Sequence, residues 1–326
     1  MTFEEFIDEW NNDKPYIVVK TSGSTGEPKE INLLKEFVIK SAKRTNNYFG
    51  ITKKSRLHSC VSPEFIGGKM MAVRSIISGA SLTWENPSNE TLKNLNHQES
   101  IDLLAMVPSQ MLYVLENIEF MPQIGSIIIG GSAINSDLRE GIVESNLNAF
   151  ETYGMTETAS HIALRKVSKE QIPFKTLPGI NVDTDKRGCL KIIFDTGEII
   201  QTNDLADLIS ETEFNIKGRK DNIIISGGKK INPAEIEERL SSHFNFPFCF
   251  TGLPDIKWGE KLVLLIEGER IHQEKEIRNI LENHLERWQL PKELIFVREL
   301  PKTPNGKILR IKNLSQLSDD IIYRTE

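Results

Sequence analysis

Residues 21–29 have the sequence Thr-Ser-Gly-Ser-Thr-Gly-Glu-Pro-Lys and lie between two short apolar runs, residues 16–19 and 31–33. These runs have the length and composition of strands, so we predict that the segment joins two strands. Glycines and small hydroxyl residues let a backbone wrap closely around a phosphate, and successive N–H groups then form an anion site. A Walker A loop is excluded because its Gly-Lys-Ser/Thr must enter a helix, whereas Pro28 precedes the lysine here and Glu30 follows it. The alternative is a flexible surface loop, for which a Ser/Gly-rich composition is also typical.

The composition is that of a globular protein with room for one large domain and a smaller one. Its 326 residues are 39% hydrophobic and 26% charged, with a formal net charge of −6. Lysines and arginines are interspersed with acidic residues, so no nucleic-acid surface is predicted. No apolar run approaches the ~20 residues of a membrane-spanning helix, so we expect no membrane span and a cytoplasmic protein. The three cysteines, Cys60, Cys189 and Cys249, are far apart, and neither a disulfide framework nor a zinc site is predicted from them.

Hydrophobic patterning predicts an α/β fold followed by a smaller α+β unit. Short apolar strands alternate with helical stretches, which implies a sheet with a ligand site at the loops that follow its strands. After residue 221 the pattern starts again, so we place the domains at residues 1–220 and 221–326. The predicted elements are helices over 3–10, 109–117, 135–145, 233–240 and 274–290, and strands over 101–107 and 126–129.

The segment at residues 21–29 resembles the signature loop of the adenylate-forming superfamily, which comprises acyl-CoA ligases, peptide-synthetase adenylation domains and luciferases. Other segments resemble the further motifs of that superfamily in the same order, over residues 15–311 in all. They are the nucleotide motif at 153–157, the ribose aspartate at 203–204, the hinge at 218–221, the loop after the hinge at 226–231 and the C-terminal lysine motif at 301–307.

This resemblance implies the architecture of the chain. It predicts a large adenylate-forming α/β domain with a shortened N-terminal part, followed by a small mobile α+β C-terminal domain. The shortening could expose apolar surface that a second subunit would cover. A homodimer is therefore a hypothesis.

The resemblance also implies a reaction, in which a small carboxylic acid is activated on the α-phosphate of ATP and then transferred to coenzyme A. Attack of one anion on another requires alignment and charge neutralisation, which backbone N–H groups, Mg²⁺ and a lysine can supply. The residues implied for the departing β- and γ-phosphates are Thr21, Ser22, Gly23, Ser24, Thr25, Gly26 and Lys29.

The nucleotide motif and the ribose motif supply the implied contacts to the rest of ATP. Thr156 would bond the α-phosphate, and Glu157 would hold Mg²⁺. Outside this context Tyr153 would be a core tyrosine, and an isolated aspartate or arginine would be a solvated surface charge. The residues implied for adenine and ribose are Tyr153, Gly154, Asp204 and Arg219.

Three further sites are implied in the C-terminal part. Lys307 follows Asn305-Gly306, a pair that favours a turn and would present the lysine at a loop tip. Such a lysine is ordinarily a surface residue, but the resemblance makes it the catalytic lysine that bridges substrate carboxylate and phosphate. Asp221 would be the hinge on which the small domain rotates between half-reactions. Gly227 and Gly228 would line the path of the pantetheine arm.

Some positions depart from the superfamily pattern. Asn203 stands where the glycine before the ribose aspartate is usual, and Phe65 where many relatives have a histidine. The six histidines show no pair at metal-ligand spacing and are predicted to be structural or exposed.

Four segments, residues 62–80, 107–110, 130–134 and 153–160, most resemble one branch of the superfamily, the o-succinylbenzoate:CoA ligases of the menaquinone pathway. The acid-binding residues predicted from these segments are Arg74, Gly130, Gly131 and Ser132.

Among these residues, Arg74 gives the most specific prediction about the acid. It lies on a predicted helix among apolar positions, so its charge needs a partner. That partner is a nearby carboxylate, water reached by snorkelling, or the aromatic carboxylate of the acid, which a planar guanidinium binds well.

Two other functions stay open. One is a different aryl- or acyl-CoA ligase, or an adenylation enzyme that loads a carrier protein. The other is a non-catalytic nucleotide-binding regulatory protein, which only the shortened N-terminal part suggests. Retention of Lys307, Glu157 and the whole phosphate loop argues against the second.

Overall fold

The computed structural model describes residues 1–20, 29–93, 95, 98–269, 271–303, 308–317 and 320–325. Two compact units make up the chain. The first contains Met1–Asp183, Lys191–Ile200 and Leu208–Asn215, and the second contains Thr184–Leu190, Gln201–Asp207 and Ile216–Glu326. None of the helices within the described ranges is both long and apolar enough to cross a membrane.

The elements alternate along the chain in the way that the patterning predicts. As far as residue 176 they are α1 (Phe3–Asn11), β1 (Tyr16–Lys20), β2 (Glu30–Leu34), α2 (Lys35–Phe49), β3 (Arg56–Ser59), α3 (Ile66–Ser78), β4 (Ser81–Trp84), β5 (Ser100–Met106), α4 (Pro108–Glu116), β6 (Gln123–Ile129), α5 (Ser136–Glu144), β7 (Ala149–Met155), β8 (Ser160–Lys166) and β9 (Phe174–Thr176). Next come β10 (Ile180–Thr184), β11 (Cys189–Phe194), β12 (Ile199–Leu208) and β13 (Glu213–Arg219). The rest are β14 (Ile224–Ser226), β15 (Lys229–Ile231), α6 (Pro233–Leu240), β16 (Phe248–Asp255), β17 (Gly259–Glu267), α7 (Glu274–His284), β18 (Glu293–Val297) and β19 (Ile321–Thr325).

The main sheet confirms the α/β prediction. Its strand order within the described residues is β10-β11-β12-β13-β9-β8-β7-β6-β5-β3-β4. From β7 to β4 neighbouring strands are parallel, and α3, α4 and α5 connect them, as parallel strands require. β7, β8 and β9 pair antiparallel. α4 and α5 agree with their predicted ranges to within one residue at each end, and β6 begins three residues earlier than predicted.

The first helix confirms the helix predicted over residues 3–10, and it begins with a capping box. The Thr2 hydroxyl accepts from the Glu5 N–H at 3.2 Å, and the Glu5 carboxylate accepts from the Thr2 N–H at 2.8 Å. One face of α1 is buried in a core that it shares with α2 and α3. The buried Lys69 of α3 also contacts α1, because its Nζ lies 3.1 Å from Glu9 Oε2 and 4.4 Å from the Phe6 ring centre.

The second unit is built on a smaller sheet. Its order is β15-β14-β17-β18-β19, with β16 also paired to β17, and β17 and β18 are parallel. α6 begins as predicted, with Pro233 in its first turn and the Asn232 side chain accepting from the Ala234 N–H at 3.3 Å. Both α6 and α7 pack their apolar faces on this sheet.

The predicted helix over residues 274–290 is wrong at its C-terminal end. α7 stops at His284, because Leu285 has an extended backbone (φ −120°, ψ 148°) and places its side chain in the core of the second unit. The following residues form a turn in which the Gln289 N–H donates to the Glu286 carbonyl at 2.7 Å. Burial of one leucine thus overrides a local helical pattern.

The predicted domain boundary at residue 221 lies inside the second compact unit, which takes up the chain continuously from Ile216. A compactness boundary and a hinge position are different properties of a chain. The division into domains 1–220 and 221–326 therefore remains a prediction.

Candidate active site

The predicted phosphate loop joins the paired ends of a β-hairpin. β1 and β2 are antiparallel, and Lys20 lies opposite Glu30 in their register, which confirms that residues 21–29 connect two strands. Thr21, Ser22, Gly23, Ser24, Thr25 and Gly26 lie outside the described residues, as does Lys307. Lys29 is described and is exposed immediately before β2.

The predicted nucleotide motif forms the end of β7 and the turn into β8. Thr156 and Glu157 lie in a 3-10 turn, Thr156–Thr158, and both are half-buried. The Thr158 hydroxyl holds this turn, since it accepts from the Met155 N–H at 2.9 Å and contacts the Ser160 carbonyl at 2.6 Å.

Gly154 has a steric reason to be glycine. A Cβ at this position would lie 2.3 Å from the Ser160 carbonyl oxygen and 2.5 Å from the His161 Cα. Ala159 and Ser160 adopt positive φ values of 51° and 87°, which side-chain-bearing residues rarely do. Strain of this kind concentrates at functional sites, and here it follows directly after Thr156 and Glu157.

Tyr153 lies in an aromatic cluster rather than alone. Its ring centre is 5.3 Å from that of Phe214, nearly perpendicular to it, and 5.8 Å from that of Phe174. The side chain is half-buried. These edge contacts orient the ring, and stacking on adenine remains a prediction.

The predicted acid-binding glycines follow a strand of the main sheet. Gly130 comes directly after β6, and its N–H donates to the Met106 carbonyl of β5 at 3.1 Å. Gly131 is exposed and Ser132 half-buried beside it. These residues therefore lie at the carboxyl ends of parallel strands, where open α/β sheets bind their ligands.

Arg74 is buried without a carboxylate partner among the described residues. Only 1% of it is exposed. Its Nη1 lies 3.4 Å from Met71 Sδ and its Nη2 3.5 Å from Ser160 Oγ, while Nε has no hydrogen-bond partner. Burial lowers the pKa of Arg74 to about 9, with no acidic group opposing that change. Two of the three predicted partners are therefore excluded within the described residues. No carboxylate pairs with Arg74, and the side chain is too deeply buried to reach bulk water.

The walls around Arg74 come from α2 and β8. Asn46 of α2 donates from Nδ2 to the Arg74 carbonyl at 2.9 Å, and its Oδ1 is buried without a partner. His161 of β8 lies 3.0 Å from the Thr45 hydroxyl. Burial, and secondarily the charge of Arg74, hold the pKa of His161 well below its usual range. His161 is therefore neutral and adds no second positive charge.

In the second unit the predicted ribose and hinge residues are connected by hydrogen bonds. Arg219 Nη1 lies 3.4 Å from Asp204 Oδ1, and its Nη2 lies 2.8 Å from Asp221 Oδ2. The Asn203 amide donates to Asp221 at 3.2 Å and accepts from Arg187 at 2.9 Å. Asn203, which replaces the usual glycine, thus ties the hinge aspartate to Arg187.

Gly227 and Gly228 form a two-residue hairpin turn between β14 and β15. Ser226 pairs with Lys229 across it, and the glycines have φ values of 55° and 76°, as a type I′ turn requires. A Cβ on Gly227 would also lie 2.8 Å from the Trp258 ring. The turn accounts for both glycines, and their place on the pantetheine path remains a prediction.

Two protein-family models match the chain. A model described as AMP-binding enzyme matches residues 4–187, and one described as AMP-binding enzyme C-terminal domain matches residues 235–307. The chain belongs to the AMP-binding enzyme family. Its fold is the adenylate-forming α/β fold, with a large N-terminal and a smaller C-terminal domain.

Relatives of this AMP-binding enzyme include longer and similar-sized proteins. The 2-succinylbenzoate–CoA ligase of Listeria monocytogenes serotype 4b is 28% identical over 94% of the chain and 71% of its own length. A solved acyl-CoA synthetase (AMP-forming)/AMP-acid ligase II-like protein from Dyadobacter fermentans is 32% identical with a TM-score of 0.61, covering 93% of this chain and 90% of that one. The Bacillus subtilis O-succinylbenzoate coenzyme A synthetase, solved with ATP and magnesium ion, is 23% identical with a TM-score of 0.81, over 93% and 69%.

Sequence reasoning missed several residues of this AMP-binding enzyme's site. Ser160 and His161 follow the nucleotide motif closely, but they lie near Arg74 only because β8 packs against α3. Asn203 was identified only as a departure from a glycine. A hydrogen-bonding side chain next to the ribose aspartate was the one available signal, and its partner Arg187 lies 16 residues away.

Proposed function

We propose that the acid of this AMP-binding enzyme, an AMP-forming acid–CoA ligase, is o-succinylbenzoate. In the first half-reaction the succinyl carboxylate attacks the α-phosphorus of ATP, and pyrophosphate leaves. In the second, the thiol of coenzyme A attacks the acyl carbonyl, and AMP leaves with the bonding electron pair. Both steps pass through an acyl-adenylate, so AMP and acyl-CoA form in equal amounts.

The assignment of o-succinylbenzoate as the acid rests on the guanidinium of Arg74, which is buried without a carboxylate partner among the described residues. A charge this deeply buried is costly unless an anion accompanies it. The Nη2 atom of Arg74 points to Ser160. Ser160 comes four residues after Thr156, and we assign Thr156 to the α-phosphate. The single carboxylate of a monocarboxylic acid bonds to the α-phosphorus, so no carboxylate remains to pair with Arg74. A second carboxylate on the aromatic ring would supply one, and two parallel N–H donors fit it.

The other contacts follow the family pattern. The carboxylate of Glu157 takes part in no hydrogen bond or ion pair within the described residues and is half-buried, so it suits Mg²⁺, which prefers oxygen ligands. When bound, Mg²⁺ would offset the charge of the phosphates. We assign the residues from Thr21 to Gly26 with Lys29 to the phosphates and Lys307 to the attacking carboxylate.

The assignments to adenine, ribose, acid and acceptor complete the proposal. Tyr153 and Gly154 would contact the adenine, and Asp204 and Arg219 the ribose. The acid would also contact Gly130, Gly131 and Ser132. Asp221 would act as the hinge, and Gly227 and Gly228 would border the coenzyme A path.

A matched pair of acids tests the assignment. o-Succinylbenzoate and 4-oxo-4-phenylbutanoate differ only in the ring carboxylate, so pyrophosphate release with each isolates that one group. A charged hydrogen bond in a buried site is worth roughly 2 to 4 kcal/mol, and we expect kcat/KM to favour o-succinylbenzoate by about 30-fold to 1,000-fold.

The same comparison in a variant assigns the preference to a residue. Arg74→Met should bring the two kcat/KM values to within about tenfold of each other, while the KM for ATP stays unchanged. If wild type uses both acids equally well, the o-succinylbenzoate assignment is wrong and the broader ligase function survives. If no acid yields pyrophosphate, the ligase function itself fails.

The acceptor, the compartment and the oligomeric state are also part of the proposal. Thioester formation with coenzyme A, and none with a carrier protein, distinguishes the ligase from a carrier-loading enzyme. All three cysteines are buried and free, which is consistent with a reducing cytoplasm.

Exposed apolar side chains such as Phe120 (63%) and Leu112 (53%) support a homodimer, which sedimentation velocity would test.

A further inference from the structure

A cluster of metal-ligating side chains lies where β3 and β4 end. The two strands are parallel neighbours at the edge of the main sheet, and His58 lies opposite Thr83 in their register. Cys60 and Glu85 each come two residues later, on the same side of the sheet, because strand side chains alternate. A His58 ring nitrogen, the Cys60 sulfur and a Glu85 oxygen all lie within 4.8 Å of one another.

Hydrogen bonding fixes the tautomer of His58. Its Nδ1 lies 2.8 Å from the Thr83 hydroxyl, which donates its own proton to the Leu57 carbonyl at 3.3 Å. Nδ1 must therefore carry a proton and donate it, and Nε2 keeps its lone pair. Within the described residues Nε2 is buried and has no hydrogen-bond partner. A neutral imidazole with a free Nε2 lone pair is the form that binds metals.

The other two ligands are held in place by their surroundings. The Cys60 N–H donates to the Ala105 carbonyl at 3.0 Å, and its carbonyl accepts from Gln110 Nε2 at 2.8 Å. Glu85 accepts hydrogen bonds from the Thr91 hydroxyl at Oε1 and from the Leu92 N–H at both oxygens. A carboxylate offers about four lone-pair sites, so these bonds orient Glu85 and leave a lone pair on Oε2 for a cation.

We propose that His58 Nε2, Cys60 Sγ and Glu85 bind one Zn²⁺, with water as the fourth ligand. Imidazole, thiolate and carboxylate are the ligands that zinc takes in tetrahedral sites, whereas Mg²⁺ requires an octahedral set of oxygens. Binding replaces the thiol proton of Cys60, which is released to solvent. One Zn²⁺ with one thiolate, one carboxylate and a neutral imidazole has no net charge, so the complex suits a largely buried position.

A bound cation would stabilise the Cys60 thiolate and neutralise the charge of Glu85. Exposed Thr83 and half-buried Glu85 leave a route for the ion from solvent. The bound metal would cross-link the edge strand β4 to β3.

The wild-type protein provides the first test. Protein purified without chelators should contain one zinc per chain by elemental analysis. After removal of zinc, titration with Co²⁺ should give a thiolate-to-cobalt charge-transfer band and tetrahedral d–d bands that saturate at one equivalent, with a dissociation constant of about 1 µM or lower. Wild type that binds no stoichiometric metal and gives no such bands would overturn the proposal without any variant.

Variants then assign the ligands. Cys60→Ser should abolish the charge-transfer band, and Glu85→Gln should weaken binding. Cys249→Ser is the matched control, because Cys249 is also buried but lies in the second unit, and it should bind zinc as wild type does. Thr83→Val should weaken binding by about 10-fold to 100-fold, since it removes the hydrogen bond that orients His58.

Equal metal content in wild type and Cys60→Ser would mean that the ion binds elsewhere, which contradicts the site. The test does not involve ATP, acid or coenzyme A. Its failure would therefore leave the proposed ligase function untouched.

Discussion

Replacing Arg74 with methionine should make the ligand-free protein more stable while it impairs catalysis. An arginine that stabilises a fold has a carboxylate partner, and its loss leaves that partner uncompensated. Arg74 has no such partner among the described residues, and only long contacts to Met71 and Ser160 offset its burial. Methionine has a similar length and no charge to desolvate.

The magnitude follows from the pKa of the guanidinium. Burial lowers the pKa of the Arg74 guanidinium from its ordinary value in water to about 9 in the folded protein. At about 1.36 kcal/mol per pH unit, that difference corresponds to a cost of roughly 5 kcal/mol. At pH 7 the side chain is still charged, so the folded state bears this whole cost. Lost packing offsets part of it, and buried charges replaced by apolar residues typically stabilise proteins by about 1 to 4 kcal/mol.

Urea unfolding of wild type and Arg74→Met at pH 7, without ligands, measures the effect. Arg165→Met is the matched control. Arg165 is also buried, but its Nη2 lies 2.7 Å from the buried Glu151 carboxylate. Its loss should destabilise the protein by roughly 3 kcal/mol or more. If Arg74→Met destabilises the protein as much as Arg165→Met does, Arg74 has a structural partner and the reasoning is refuted. ATP alone should stabilise both proteins, and further addition of o-succinylbenzoate should stabilise wild type but not Arg74→Met.

Three further predictions concern catalysis and pH. Lys307→Ala should abolish adenylate formation from acid and ATP but leave thioester formation from supplied acyl-adenylate largely intact; equal loss in both half-reactions, measured separately, would contradict the assigned role. Asp221→Pro should impair one half-reaction selectively, because proline fixes φ near −65° at the predicted hinge, whereas a variant normal in both would exclude Asp221 as the hinge. Because the pKa of His161 lies well below its usual range, the unfolded chain binds a proton below about pH 6.5 that the folded chain does not. The free energy of unfolding should therefore fall as pH decreases from there, by at most about 1.4 kcal/mol per pH unit for this group, and urea unfolding at pH 7.5 and 5.5 should show a smaller fall in His161→Gln.

Local interactions explain where sequence-based prediction succeeded. The predicted starts of α1 and α6 depend on residues a few positions apart, because the Thr2–Glu5 capping box and the Asn232 cap fix them. The adenylate-forming motifs could likewise be recognised from the sequence, because each is a short segment and their order follows the chain. Where prediction failed, a distant contact decided the outcome. α7 ends at His284 because the core of the second unit takes up Leu285, and nothing within residues 274–290 signals that.

The sequence by itself determined the α/β class, the family and the residue types available for chemistry, because these depend on periodicity and on motifs within short segments. Only the tertiary structure decided which side chains meet. Arg74 is isolated because α2 and β8 pack over it with neutral groups. His58, Cys60 and Glu85 converge because the parallel register of β3 and β4 places residue 85 beside residue 60, although 25 positions separate them in the chain. No spacing rule for metal ligands would have selected that set, since the contact arises from strand pairing across a helical connection.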